Sequence, residues 1–289
     1  MRHLLFGMLL ALAASAAQAK SQIVLHAVGL ESQYANVMAQ IGGPYVQVRA
    51  IEDNPNADPH EFELSPYVAR LLHGADVIVA NGLGYDSWAD KLLACTKATV
   101  ISAQAVRHLP DSTPNPHLWY NPATMPAVAR AVAAAYAAKD PNHAAMYWKN
   151  EEAFEASLAP WDKALADIKA HYAGAKVAVS EPVADYLLQA AGLSIATPFG
   201  LEAAVMNGTD PAPQDVSAQQ ALLASGKVRV FVYNQQVTDS LTASFLATAH
   251  KAALPVLGVY ELMPPDAHTY QNWMMQTTQA LAKALAARK

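Results

Sequence analysis

The sequence predicts an α/β protein of two lobes with mostly parallel sheets, joined by one long rigid helix, with a cleft between the lobes. Short β-rich runs alternate with helical patterns in both halves of the chain, the signature of βαβ units. Between the halves, residues 144–172 carry an apolar stripe of Tyr147, Phe154, Leu158, Trp161, Leu165 and Ile168, flanked throughout by charge. With 289 residues, 53% of them hydrophobic, the chain is long enough to bury a core in each of two lobes.

Residues 1–19 read as an export signal: Arg2 and His3, an apolar run over 4–14, and the cleavage tripeptide Ala17-Gln18-Ala19. The apolar run is too short to span a bilayer and no cysteine stands at the cleavage position, so no retained membrane anchor is expected. Export without disulfides points to a bacterial periplasm.

The first lobe is expected over residues 20–143. Residues 23–28 read as a strand, 32–41 as a helix stopped by Gly42-Gly43, and 46–51 as a second strand, followed by a loop over 52–64. Ser65-Pro66 places an N-cap before a first-turn proline and opens a helix to about residue 72. Strands follow at 77–80 and 99–102, with a helix between them from about Tyr85. Asn121-Pro122 repeats the cap-plus-proline device before an alanine-rich helix ending near residue 138. The connecting helix takes 144–172, with Pro160 as a potential kink.

The second lobe is expected over residues 173–289. It begins with a strand at 177–180 and a helix at 184–191 stopped by Gly192. Strands at 228–233 and 256–260 and a terminal helix over 270–287 complete it, and the proline-rich segment 198–213 reads as an irregular loop.

Composition excludes several classes of function. A net charge of −5 excludes a polybasic nucleic-acid binder. The single Cys95 excludes intramolecular disulfides, zinc ribbons and iron–sulfur clusters held by cysteine alone. Cys95 follows Leu92 and Leu93 in a helical pattern and is expected to be a buried structural thiol. Ten histidines stand beside that one cysteine, so any metal site must use nitrogen and oxygen.

Two tripeptides echo each other, Asp58-Pro59-His60 and Asn115-Pro116-His117. Proline fixes its own φ and holds the preceding residue extended, so each presents a histidine on a stiffened loop. Both loops fall before a helix at the predicted carboxyl edge of the sheet, where open α/β sheets place ligands. Either histidine alone would more often be packed or solvated; two in matching contexts favour ligands. In the second half, Glu181 follows one hydrophobic strand and Glu261 another. A carboxylate there is costly to bury unless paired, protonated or metal-bound, and helix capping or solvation is the competing role for each. His60, His117, Glu181 and Glu261 together would bring two imidazoles and two carboxylates into the cleft, a donor set suited to zinc, iron or manganese.

These residues sit in motifs that resemble the periplasmic cluster A-I solute-binding proteins of zinc and manganese ABC transporters. The motifs are Gln40-Ile41-Gly42-Gly43, Asn56-Ala57-Asp58-Pro59-His60-Glu61-Phe62 and Ala80-Asn81-Gly82-Leu83-Gly84-Tyr85. Pro116-His117-Leu118-Trp119-Tyr120-Asn121-Pro122, Ser180-Glu181-Pro182 leading to Tyr186, and Tyr270-Gln271-Asn272-Trp273-Met274 continue the series in order. The resemblance implies that His60, His117 and Glu181 are ligands, and it maps the fourth onto Glu261. It implies a cargo of one divalent ion, Zn2+ or Mn2+ with Fe2+ also accommodated, an inner-membrane ABC permease as partner, a monomer, and no catalysis.

Two departures from the family pattern stand out. Asn115 replaces the usual aspartate, removing an anion that would orient a ligand histidine, and the histidine-rich loop of many zinc members is absent. Glu181 resembles the manganese and iron subgroup, whereas the Irving–Williams order favours zinc at any site with two imidazoles.

Around the proposed site, Asn234 at a strand end is expected to hydrogen-bond a ligand carboxylate, and Glu31 and Tyr34 to line the same edge, with a helix-start role as the alternative for Glu31. His268 is expected in a solvated turn, His26 packed or hydrogen-bonded, and Met274-Met275 in a helix core. The rival functions are a zinc hydrolase and a metal-binding adhesin or chaperone on the same fold. The hydrolase lacks support from an H-E-x-x-H or G-x-S-x-G motif, since His60-Glu61 continues as Phe62-Glu63-Leu64. The stiff connecting helix predicts limited rocking or loop ordering on binding.

Overall fold

Strand β1 (Leu25–Glu31) turns directly into helix α1 (Ser32–Gly42), and β2 (Val46–Glu52) returns parallel to β1 with Leu25 opposite Val46. The computed structural model describes residues 23–55, 62, 64–237 and 239–288, so the export segment expected at 1–19 lies outside the described residues. The β1–α1 turn is close because Gly29 has no side chain: a Cβ there would stand 2.4 Å from the Ala35 amide nitrogen. Helix α2 (Pro66–His73) starts as expected, with Ser65 Oγ accepting from the Val68 amide at 3.3 Å and Pro66 in the first turn.

Strands β3 (Val77–Ala80) and β4 (Thr99–Ser102), with the short helix α3 (Asp90–Leu93) between them, complete a parallel sheet of order β2-β1-β3-β4. Helices α4 (Ala103–Val106) and α5 (Thr124–Lys139) follow, then α6 (Ala144–Ser157) and α7 (Ala159–Tyr172). The last two are the expected long helix, interrupted at Leu158. Pro160 lies in the first turn of α7, has no N–H to continue the ladder, and crowds the preceding turn.

The second lobe repeats the plan. It contains β5 (Lys176–Val179), α8 (Asp185–Ala190), β6 (Ser194–Ile195) and α9 (Phe199–Met206). Helix α10 (Pro213–Ala224), β7 (Phe231–Asn234), α11 (Ser240–Lys251), β8 (Val256–Val259) and α12 (Tyr270–Ala287) follow. Its parallel sheet runs β6-β5-β7-β8, the order of the first lobe repeated. No helix among the described residues is long and apolar enough to cross a membrane.

Alternation along each strand divides the apolar residues between two faces. In the first sheet Val28, Leu30, Ile78 and Ala80 meet Val68 and Leu72 of α2, while Leu25, Ala27, Val77 and Val79 face the other way. In the second, Ala178 and Phe231 meet Leu201, Leu223 and Phe245, while Val177, Val179, Val232 and Val259 face the first lobe's side. These inward faces belong to one continuous core that runs through both lobes and includes Trp119, Tyr120, Trp161, Tyr270 and Trp273. Tyr270 Oη donates to the Trp119 carbonyl at 2.6 Å, Tyr120 Oη to the Tyr260 carbonyl at 2.8 Å, and Trp161 Nε1 to Thr278 Oγ1 at 2.9 Å. The lobes are thus cemented by buried rings, of which Tyr120, Trp161 and Tyr270 also partner their polar ends.

Four expectations are corrected. Segment 198–213 is not an irregular loop throughout: α9 occupies its first half, with Pro198 just before the helix and Pro211 and Pro213 beyond it, where proline delimits a helix without breaking it. Cys95 is exposed, because α3 ends at Leu93 and the thiol falls in the following turn. The helix expected from Tyr85 starts two residues later, as a 3-10 turn over Ser87–Ala89 that leads into the four residues of α3. Asn121 is not the cap of α5; its Oδ1 accepts from the Ala123 amide at 3.0 Å, closing a turn one step earlier.

Candidate metal centre

The carboxyl ends of both sheets meet at the cleft, and the expected site residues arrive there from different elements. His117 ends the stiffened loop just before the turn Leu118–Tyr120, Glu181 lies two residues beyond β5, and Glu261 two residues beyond β8. All three are buried: His117 and Glu261 are 0% exposed and Glu181 3%. His60 lies outside the described residues. Among the described residues no three histidine, cysteine, aspartate or glutamate side chains converge as a metal-holding group.

The structure does bring His117 and Glu261 together, with Nε2 3.5 Å from Oε2. Both partners are held from behind. Asn115 Oδ1 accepts from the His117 amide at 2.9 Å, an Asx turn closed over Pro116, and stands 2.8 Å from His117 Nδ1. Asn115 Nδ2 donates to the Pro182 carbonyl at 2.7 Å.

These contacts orient the amide unambiguously, because a backbone N–H needs the oxygen and a backbone carbonyl needs the nitrogen. Asn115 Oδ1 can only accept, so His117 Nδ1 carries a proton. In the neutral ring, Nε2 then presents a lone pair toward Glu261. Nε2 has no hydrogen-bond partner among the described residues. The ring also lies edge-on between Tyr85 and Trp119, at 5.9 and 5.4 Å between centroids.

Glu261 is positioned as firmly. Asn234 Nδ2 donates to Oε1 at 2.6 Å, as expected from its place at the end of β7. Tyr85 Oη donates to Oε2 at 2.7 Å from the other lobe. Gln236 Oε1 accepts from the Glu261 and Leu262 amides at 2.6 and 3.0 Å. Burial, reinforced by the charges of Glu261 and Glu52, holds the Tyr85 phenol well above its ordinary value, so it remains a donor.

Behind the site, Asn81 ties the pieces together. Its Nδ2 donates to the Pro116 carbonyl at 2.8 Å and its Oδ1 accepts from Tyr34 Oη at 2.6 Å, while Gly82, at φ +85°, lets the chain turn after β3.

The sequence assigns Tyr85 and Gln236 no role at the site. Tyr85 stood inside a recognised motif but carried no sign of reaching across the cleft, and Gln236 had no signal at all. Glu31 does line the sheet edge, fully buried at the end of β1, and its side chain makes no cap bond to α1. Burial first, and then the nearby Asp86 and Glu52 charges, raise its carboxyl well above the usual range. Burial also raises Glu52, to about 8, against the hydrogen bond from Trp88. His268 is an exposed turn residue as expected, at φ +55°.

Comparison with known proteins agrees with this architecture. A family model described as "ZnuA: Zinc-uptake complex component A periplasmic" matches residues 31–284. The manganese ABC transporter substrate-binding lipoprotein PsaA of Streptococcus mitis is 29% identical over 54% of this chain and 55% of its own. The iron-binding protein YfeA of Yersinia pestis is 26% identical over 45% of this chain and 44% of its own. The chain spans between about a third and about half of the length of the curated relatives it matches. Among solved structures, the periplasmic zinc binding protein TroA from Treponema pallidum superposes with a TM-score of 0.76, covering 90% of this chain and 99% of that one at 15% identity. That likeness extends over both lobes and the helix between them. The matched family model covers nearly all of the described chain, and the protein belongs to the zinc-uptake complex component A family.

Proposed function

We propose that this chain is a periplasmic solute-binding protein that captures one divalent transition-metal ion between its lobes and delivers it to an ABC permease. The observation that carries the reading is the facing pair of His117 Nε2 and Glu261 Oε2, 3.5 Å apart and fully buried. With Nδ1 donating to Asn115, it is Nε2 that faces the Glu261 carboxylate, and an imidazole nitrogen and a carboxylate oxygen at that separation are a donor pair that a divalent cation can bridge. With His60 and with Glu181, which follows β5, the proposed set is two imidazoles and two carboxylates. Zinc and manganese suit that set, with iron also accommodated, and free zinc would bind more tightly than manganese.

In this reading the export signal is residues 1–19, the lobes are 20–143 and 173–289, and 144–172 is the connecting spine. The core shared by both lobes favours small rocking over wide closure. The protein works as a monomeric carrier and not as an enzyme, in line with relatives whose names record manganese, iron or zinc as the bound metal. Metal analysis of the purified protein, followed by competitive Zn2+ and Mn2+ titration of Glu181→Ala and Glu261→Ala, tests it. One bound ion, weakened in both variants, supports the reading. Unchanged binding in both overturns the ligand set, and no bound metal overturns the function.

A further inference from the structure

We infer that Asn115 is a positioning residue that ties the two lobes together across the cleft, holding His117 in its ligand-ready tautomer with one end of its amide and the Glu181 segment with the other. The inference rests on the ligand reading above but goes beyond it, because it concerns the metal-free protein. Asn115 is 7% exposed. Its Oδ1 accepts from the His117 amide and faces His117 Nδ1, both on the first lobe, while Nδ2 reaches 2.7 Å to the carbonyl of Pro182, the residue after Glu181 on the second lobe. A second strap returns the contact: Tyr186 Oη, on α8, donates to the Asn115 carbonyl at 2.8 Å. One short segment thus accepts from and donates to the far lobe, immediately behind two proposed ligands.

An aspartate could not do the same. Its carboxylate would still accept from His117, as a stronger partner for the imidazole, but it has no proton to offer the Pro182 carbonyl. Two oxygen acceptors 2.7 Å apart in a buried contact repel, so the segments would separate or admit water. The chain therefore exchanges a charged partner for a neutral one that also fastens the cleft. The His117 and Glu181 segments are thus held together before metal arrives, and less ordering remains to oppose binding.

The test uses metal-stripped full-length protein and three variants. Nitrogen-15 NMR reports the His117 tautomer, and amide hydrogen exchange reports residues 181–186. The parent is expected to show Nδ1–H and a protected segment. Asn115→Asp, nearly isosteric, should keep the tautomer while exchange at 181–186 speeds up by about tenfold or more. Tyr186→Phe should loosen the same segment with the tautomer unchanged. Asn115→Ala should lose both, with zinc affinity falling about 10–100-fold. Parent-like exchange in Asn115→Asp overturns the cross-cleft tie, and an unchanged tautomer in Asn115→Ala overturns the positioning role. If Asn115→Ala fails to fold, Asn115→Asp and Tyr186→Phe still decide the tie, and an Nδ1–H tautomer missing from the parent overturns the positioning role. Failure of the parent to bind metal overturns the ligand reading alone, since both readouts are made without metal.

Discussion

Replacing Glu202 with glutamine should stabilise the protein at alkaline pH and flatten the dependence of its stability on pH. Glu202 on α9 and Asp185 at the start of α8 are 2% and 6% exposed. Burial is the main cause that raises Glu202, from 4.5 to about 9, assisted by the Asp185 charge and by the proton it donates to Asp185. Burial raises Asp185 from 3.8 to about 7, against that same hydrogen bond. The two titrate as a pair that holds one proton between them at neutral pH.

Because the folded values lie above the unfolded ones, the pair's contribution to stability is complete below about pH 4 and is lost as pH rises through about 9. Between pH 7 and 9 the native state holds about one proton more than the unfolded chain, about a tenfold change in the folding equilibrium per pH unit. Glutamine keeps an N–H donor for Asp185 and has no proton to lose. Urea denaturation at pH 6.5, 7.5 and 8.5 should therefore show the difference between variant and parent shifting by about 3 kcal/mol in the variant's favour across the series. Parallel pH profiles for the two proteins would refute the shared proton.

Two further changes probe the core and the site. Trp161→Ala removes a side chain that is 1% exposed and hydrogen-bonded to Thr278 between α7 and α12, so it should cost about 3–5 kcal/mol in urea denaturation. A loss under about 1 kcal/mol would contradict a core continuous between the lobes. Asn234→Ala frees Glu261 Oε1 from its 2.6 Å partner and should weaken zinc binding about 10–100-fold in competitive titration while leaving one site per chain. Unchanged affinity would mean that Glu261 needs no such support.

Much of this fold is legible in local pattern. Strands 77–80 and 99–102 and helix 270–287 coincide with their expected limits because each is bounded by unambiguous changes in hydrophobic period. Prolines around helix α9 mask a run, Phe199–Met206, whose Leu201 is buried against the second sheet and whose Glu202 is buried beside Asp185. Cys95 was misplaced for the complementary reason: a helical period continues on paper past Leu93, where the chain itself turns away.

At the site, residues that sit at strand ends, such as Asn234 and Glu261, follow from the chain's own order. Tyr85 and Gln236 act through contacts that are distant in sequence, and only the folded cleft brings them to Glu261. In the sequence Asn115 is only the loss of an anion. The structure adds the donor end of its amide, whose partner is 67 residues away.

The most direct measurement is anomalous diffraction from zinc-loaded crystals, recorded at the zinc absorption edge. The predicted result is a single peak per chain, about 2.0–2.2 Å from His117 Nε2 and from a Glu261 carboxylate oxygen, with Glu181 and His60 filling the remaining positions. A peak only at exposed histidines such as His26 or His73, or no peak in a cleft that keeps the 3.5 Å His117–Glu261 contact, would contradict metal capture at this site.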